Sequence, residues 1–245
     1  MDVVDAVVVV GAGLVAGVVN AMAGGGSLLT VGMLTVFADL PGLIANGTNR
    51  VGVLVQNAAS VAGYRKEGVS GLRRAVPVLI PAILGSLVGS FLVSSLTDEA
   101  FERTFGILMV PLLILSLKPP KATGTEIAWS PALTAAVFFG IGLYGGAFQA
   151  GVGLIIVVAL SRSGLDLVNA NAVKVVVIMA LTAMAVPVFI ARGKVDWGFA
   201  LLLSIGFALG GWVGARAAVR GGERLIRPVL VVAVVALAGR MVGLY

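Results

Sequence analysis

The chain has 245 residues, 59% of them hydrophobic and only 11% charged, with a mean hydropathy of +1.10. Soluble domains carry about 25% charged residues, so this composition excludes a soluble globule and indicates an integral membrane protein. The net charge of +6 would suggest nucleic acid in a soluble protein; here it is assigned to loops that fix helix orientation, and no nucleic-acid partner is expected. Cys and His are both absent. That removes disulfides, haem-type ligation, the usual metal clusters and most nucleophile and base pairs, so no cofactor and no enzymatic activity are expected.

The first apolar run, from Val3 to Ala23, ends in Gly24-Gly25-Gly26. Each glycine inside a helix costs roughly 1 kcal/mol relative to alanine, so three in a row mark a break. At membrane depth such a break survives only where it is buried in protein or lines a wet cavity. The next apolar piece, Leu28 to Phe37, is too short to cross a hydrocarbon core of about 30 Å and reads as half of a re-entrant pair. Spans follow at Ala45 to Gly63, Ala75 to Ser94 and Phe101 to Leu117, the last preceded by a helix cap at Thr97-Asp98-Glu99. A Pro-rich charged linker, residues 118–130, separates a first membrane repeat (1–117) from a second (131–245).

The pattern then restarts with an apolar run from Pro131 and a second break, Gln149-Ala150-Gly151-Val152-Gly153. A short piece from Leu154 to Leu160 precedes spans at Val168 to Ile190, Phe199 to Val219 and Leu225 to Gly243. The expectation is an all-α polytopic membrane protein of about eight spans, in two inverted repeats that each begin with a broken helix pair. Long non-alternating runs exclude an outer-membrane barrel. Asp2 and Asp5 stand where a signal peptide would be basic, so no cleavable leader is expected. Val7 to Gly17 imitates a dinucleotide fingerprint, but no acidic residue stands about 20 positions on and no soluble strand–helix pattern develops.

The halves align at a separation of about 125 to 127 residues. Gly24-Gly25-Gly26 falls on Gly151-Val152-Gly153, Ala45-Asn46 on Ala170-Asn171, and Gly85 and Gly89 on Gly210 and Gly214. If each short piece turns back to its own side, about twelve of the 17 Lys and Arg collect on one face. If each crosses once, the split is about nine to eight and carries no signal. The hairpin reading therefore wins. It places both termini outside the cytoplasm and the two breaks face to face near the midplane.

Helix N-termini inside a membrane cavity offer free amides and a positive dipole end, suited to a small anion. The candidate substrate-binding residues are Asn20, Gly24, Gly25, Gly26, Ser27, Asn46, Thr48, Asn49 and Arg50 in the first half, with Gln149, Gly151, Gly153, Asn171 and Lys174 in the second. Polar residues within spans are costly and tend to face the interior of a bundle; the alternative is interhelical packing. Arg50 and Lys174 either converge on the cavity or snorkel to the interface. Trp129, Trp197 and Tyr64 read as interfacial belt residues.

Ala23-Gly24-Gly25-Gly26-Ser27, Pro41 and Ala45-Asn46-Gly47-Thr48-Asn49, with their degenerate echo at 151–153 and 170–172, resemble the sulfite exporter TauE/SafE family of membrane permeases. The resemblance covers almost the whole chain. It implies a multi-pass protein of the bacterial or archaeal inner membrane, moving sulfite or organosulfonates outward, with the lipid bilayer as its surroundings and oligomerisation possible. Val152 replaces a third glycine, so the half-sites need not contribute equally. Two other functions compete: import or proton-coupled carriage of another small anion such as a carboxylate, and a non-transporting membrane subunit of a sulfur-metabolism complex.

Overall fold

The computed structural model describes residues 3–117 and 129–241. Among them every regular element is a helix: α1 (Val3–Met22), α2 (Gly26–Val36), α3 (Gly42–Lys66), α4 (Leu72–Ser94), α5 (Asp98–Leu117), α6 (Pro131–Ala147), α7 (Val152–Arg162), α8 (Leu167–Ala191) and α9 (Trp197–Met241). Local chemistry sets several starts. The Thr97 hydroxyl accepts from the Ala100 amide ahead of α5. Ser130 accepts from the Leu133 amide ahead of α6, with Pro131 in the first turn, and Asp166 accepts from the Val168 and Asn169 amides ahead of α8. Each side chain satisfies amides that have no intrahelical partner.

Segments within α1, α4, α8 and α9 are long and apolar enough to cross a membrane, and the chain is a polytopic helical membrane protein. α3 is as long as α8, 25 residues, yet buries Asn46, Thr48, Asn49, Arg50, Gln56, Asn57 and Ser60. The two eleven-residue helices, α2 and α7, each reach about 16 Å at 1.5 Å per residue, half of a hydrocarbon core.

Most of the predicted linker lies outside the described residues. The two spans expected at Phe199 to Val219 and Leu225 to Gly243 form one continuous helix, α9, with Pro228 inside it. The basic stretch from Arg220 to Arg227 suggests a loop by polarity, but Glu, Arg and Leu are good helix formers. Polarity marks where the helix leaves the apolar layer, not where its hydrogen bonding stops.

Helix direction is read from glycine contacts. A Cβ added at Gly206 or Gly210 of α9 would sit 2.1 Å from the carbonyl oxygens of Val10 and Leu14 of α1, and one at Gly214 would sit 2.8 Å from that of Val18. Successive turns meet in the same order, so α1 and α9 run parallel. Gly85 and Gly89 of α4 meet the Phe139 and Leu143 carbonyls of α6 at 2.1 and 2.0 Å in the same way. Small residues let membrane helices pack backbone to backbone. The two interfaces correspond: the contacts of Gly210 with Leu14 and of Gly85 with Phe139 differ by 125 on both sides, as do those of Gly214 with Val18 and Gly89 with Leu143.

α3 runs alongside α9, Gly52 against Phe207 and Gly63 against Trp212, and antiparallel to α8, with Gly47 near Phe189 and Gly71 near Ala172. With α1 and α3 pointing the same way, α2 between them turns back. The same holds for α7 between α6 and α8.

The ends of the bundle differ in charge. Contacts between Arg74 and Asn169 and between Glu67 and both Arg216 and Arg220 gather one end. This end also carries Arg65, Lys66, Arg73 and Arg162, and the carboxylate of Asp166. At the other end, the Leu43 amide donates to Asp98 and the Asp196 amide to Thr48. There Asp39, Asp98, Glu99, Glu102 and Asp196 outnumber Arg103, Arg192 and Lys194.

Gly89→Ala should lower stability by about 1–3 kcal/mol, because the helices must part to admit the methyl group. Gly140→Ala, with nothing within 4 Å, should be neutral or gain up to about 1 kcal/mol from helix propensity. Unfolding midpoints in detergent check both. Hydrogen bonds from Arg220 and Arg216 hold the Glu67 carboxyl below the usual carboxylate range. A depressed folded pKa means that this tie between α3 and α9 is intact at neutral pH and is lost as pH falls through the folded value. Thermal midpoints of the wild type and Glu67→Gln should therefore differ at neutral pH and converge below that range.

Candidate functional site

The two breaks touch. A Cβ on Gly24 would lie 2.5 Å from the Gly153 carbonyl carbon, and one on Gly153 would lie 2.6 Å from the Gly24 Cα. Gly24 takes φ +90 and Gly151 φ +74, a left-handed backbone that glycine adopts without strain. Gln149 stands 125 residues after Gly24 and takes φ 61, a conformation costing a non-glycine residue about 1 kcal/mol or more. Its side chain is held in place: Oε1 accepts from Arg50 Nη1 at 3.1 Å and from Thr182 Oγ1 at 3.4 Å.

All fourteen candidate residues are buried. The snorkelling alternative therefore fails for both cations, since Arg50 and Lys174 are 0% exposed. Each instead crosses to the broken helix of the other half. Arg50 on α3 donates to the Gly145 and Ala147 carbonyls at the end of α6, at 3.0 and 2.8 Å, and Asn46 Nδ2 joins it on Ala147 at 2.9 Å. Lys174 on α8 donates to the Asn20 and Ala21 carbonyls at the end of α1, at 2.7 and 3.1 Å, and to Asn171 Oδ1 at 2.6 Å. The last carbonyls of a helix have no intrahelical donor and carry its negative dipole end, so a cation there is favourable. All three Lys174 protons are engaged. On Arg50, Nε has no partner among the described residues, and the guanidinium lies 4.5 Å from the Phe189 ring centre.

The opposite ends of the same breaks point the other way. α2 starts at Gly26 behind Gly25, and α7 at Val152 behind Gly151, neither with a side-chain cap. Their first amides present the positive dipole end of a half-helix. On α2, Thr30 donates to Asn49 Oδ1 at 2.5 Å, and the buried Asn49 Nδ2 has no acceptor among the described residues. Gly26 packs so closely on Ala16 that an added Cβ would meet its carbonyl oxygen at 2.0 Å, which holds the start of α2 against α1. Thr48 is set apart from this group, because its hydroxyl accepts from the Asp196 amide and anchors the α8–α9 connection.

Tyr64 corrects a sequence expectation. It is 1% exposed and donates to the Ala21 carbonyl at 3.1 Å, so it belongs to the interior and not to an interfacial belt. Sequence reasoning missed Ser60 and Thr182. The four-residue spacing of Gln56, Ser60 and Tyr64, which places them on one face of α3, was the available signal for the first.

The Sulfite exporter TauE/SafE family profile matches residues 9–241. The chain belongs to that family. It is 27% identical to "Probable membrane transporter protein ORF9" of Sinorhizobium sp., over 95% of this chain and 90% of that protein. A "Probable membrane transporter protein" of Haemophilus influenzae is 29% identical, over 94% of this chain and 91% of its own length. "Probable membrane transporter protein YfcA" of Escherichia coli K12 is 25% identical, over 93% and 86%. No solved structure matches. This TauE/SafE member is a membrane transporter, and the family is one of permeases, not enzymes.

Lys174→Met removes the charged donor from the end of α1, leaving the Tyr64 hydroxyl on Ala21 and the Gly24 amide on Asn20, and the backbone carbonyls cannot be removed to compensate. It should lower stability by about 2–4 kcal/mol, read as a fall in the unfolding midpoint. Arg50→Met should act similarly on the end of α6.

Proposed function

We propose that this transporter exports sulfite or a related organosulfur oxyanion across the bacterial inner membrane. The observation that carries the reading is the meeting of Gly24 with Gly153, which brings two uncapped half-helix N-termini to one buried place. Anions bind at such termini through free amides and dipole. Of the site's buried atoms without a partner among the described residues, Asn49 Nδ2 and Arg50 Nε are donors and suit an anion, while Asn46 Oδ1 is an acceptor. Asn20, Ser27, Asn46, Gln149 and Asn171 complete the polar surround, while Arg50 and Lys174 position the broken helices.

The chain is organised as two inverted repeats, residues 1–117 and 131–245, joined by a cytoplasmic linker at 118–130. Support comes from the opposed directions of α1 and α6 and from glycine contacts that recur 125 residues apart. The bundle end with the excess of Arg and Lys is cytoplasmic, by the positive-inside rule, and the start of α1 is on the other side; the expectation that both termini share that side fails for the second half, because α9 continues unbroken past the basic end to Met241 and does not turn back. With the breaks in contact there is no room between them for an oxyanion, so transport requires the repeats to rock apart.

Few carboxylates stand within the predicted spans, so the driving force assigned to export is the membrane potential. About 100 mV, inside negative, contributes roughly 2.3 kcal/mol per charge, about fifty-fold for a monoanion leaving the cytoplasm. In proteoliposomes, efflux of labelled sulfite should rise with imposed voltage and persist without a proton gradient. Flux indifferent to voltage and strictly dependent on protons would overturn the reading. Gly153→Ala should reduce flux at least about tenfold, since a methyl group there collides with Gly24 backbone in the closed state.

A further inference from the structure

Resting on that orientation and that transport reading, we propose that the translocation route is chemically lopsided. Its cytoplasmic half runs along the polar face of α3 from Gln56 to Tyr64, and its outer half is sealed by Phe189 stacked on Arg50.

The polar face is continuous. Asn20 Nδ2 donates to Gln56 Oε1 at 2.6 Å, Gln56 Nε2 to Ser60 Oγ at 2.8 Å, Ser60 to the Gly211 carbonyl at 3.1 Å, and Tyr64 to the Ala21 carbonyl. It descends from the first break towards the basic end of the bundle. There a surface cleft opens between α3, the start of α4 and α8, lined by Val61, Tyr64, Arg65, Ser70, Gly71 and Ala172. Asn57 lies on the same stretch, 0% exposed, with Oδ1 lacking any donor among the described residues. A buried amide oxygen without a partner costs free energy unless a mobile donor such as water reaches it.

The matching stretch of α8 lacks this chemistry. Counting 125 residues on, Gln56 becomes Leu181, Asn57 becomes Thr182, Ser60 becomes Ala185 and Tyr64 becomes Phe189. In an inverted repeat this stretch lines the opposite, outer half. The hydroxyls on that side, Thr182 and Ser86, are turned onto Gln149 and the Leu181 carbonyl. Phe189 is 0% exposed, with the Arg50 guanidinium over its ring. An anion would therefore meet polar side chains from the cytoplasm up to the breaks, and an apolar constriction beyond them, the kind of barrier that gates by excluding water.

The chain has no cysteine, so single-cysteine variants carry no background. Ser60→Cys and Ala185→Cys, both small changes, are treated with a membrane-impermeant maleimide in inside-out and right-side-out vesicles without substrate. Ser60→Cys should be modified from the cytoplasmic face at least about tenfold faster than Ala185→Cys from either face, thiol reactivity following exposure. Equal rates, faster labelling of Ala185→Cys, or no labelling of Ser60→Cys would overturn the lopsided route. Because no substrate is present, such a result leaves the export reading to the voltage-dependent flux assay, and loss of voltage dependence leaves the labelling pattern to stand or fall separately. Val61→Cys, on the rim of the cleft, is the second reporter. It should label from the cytoplasmic face if the fold and orientation are intact, and labelling only from the other face would overturn the orientation on which the route depends.

Discussion

Two helices that stop inside a membrane leave backbone carbonyls where no water can reach them. Everything else in this bundle follows from how those carbonyls are satisfied. α1 and α6 each end within the protein, and each end is closed by a cation borrowed from the other half of the chain, Lys174 for α1 and Arg50 for α6. The exchange is reciprocal, and it ties the two halves together at the point where each is weakest.

That arrangement separates two jobs that a basic residue near an anion site could do. The charges are directed at the negative ends of the broken helices, while the positive ends, at Gly26 and Val152, remain uncapped. On the export reading proposed above, the cations neutralise one end of each break and leave the other as the surface that attracts the anion. An anion held by amides and dipoles is bound more loosely than one in a direct ion pair, which suits a site that must release its guest.

Close backbone packing makes the crossing possible. Glycines on α1, α4, α6 and α9 bring helix pairs within carbonyl contact, and the same economy of side chain lets Gly24 and Gly153 meet. Such interfaces are well suited to sliding or rocking as units, since few interdigitated side chains must be disengaged. The polar side chains are concentrated on α3, whose buried face carries Asn46, Asn49, Arg50, Gln56, Asn57 and Ser60. α8, its counterpart, is mostly aliphatic.

By itself the sequence determined the membrane class, the helical fold, the two breaks and the short pieces behind them. Each depends on local composition: an apolar run long enough to span, or glycines that no helix interior tolerates. It also marked Asn46, Arg50, Asn171 and Lys174 as out of place in a span, because burying them carries a cost wherever they point. Only the tertiary structure decided what they touch. Arg50 meets carbonyls 95 and 97 residues away, and Lys174 meets carbonyls 154 and 153 residues away. A backbone carbonyl leaves no trace in the sequence of the donor that will find it. The same reason turned Tyr64 from an expected interfacial anchor into a buried donor, and joined two expected spans into α9: local polarity records how much a residue prefers water, not which partner the fold supplies instead.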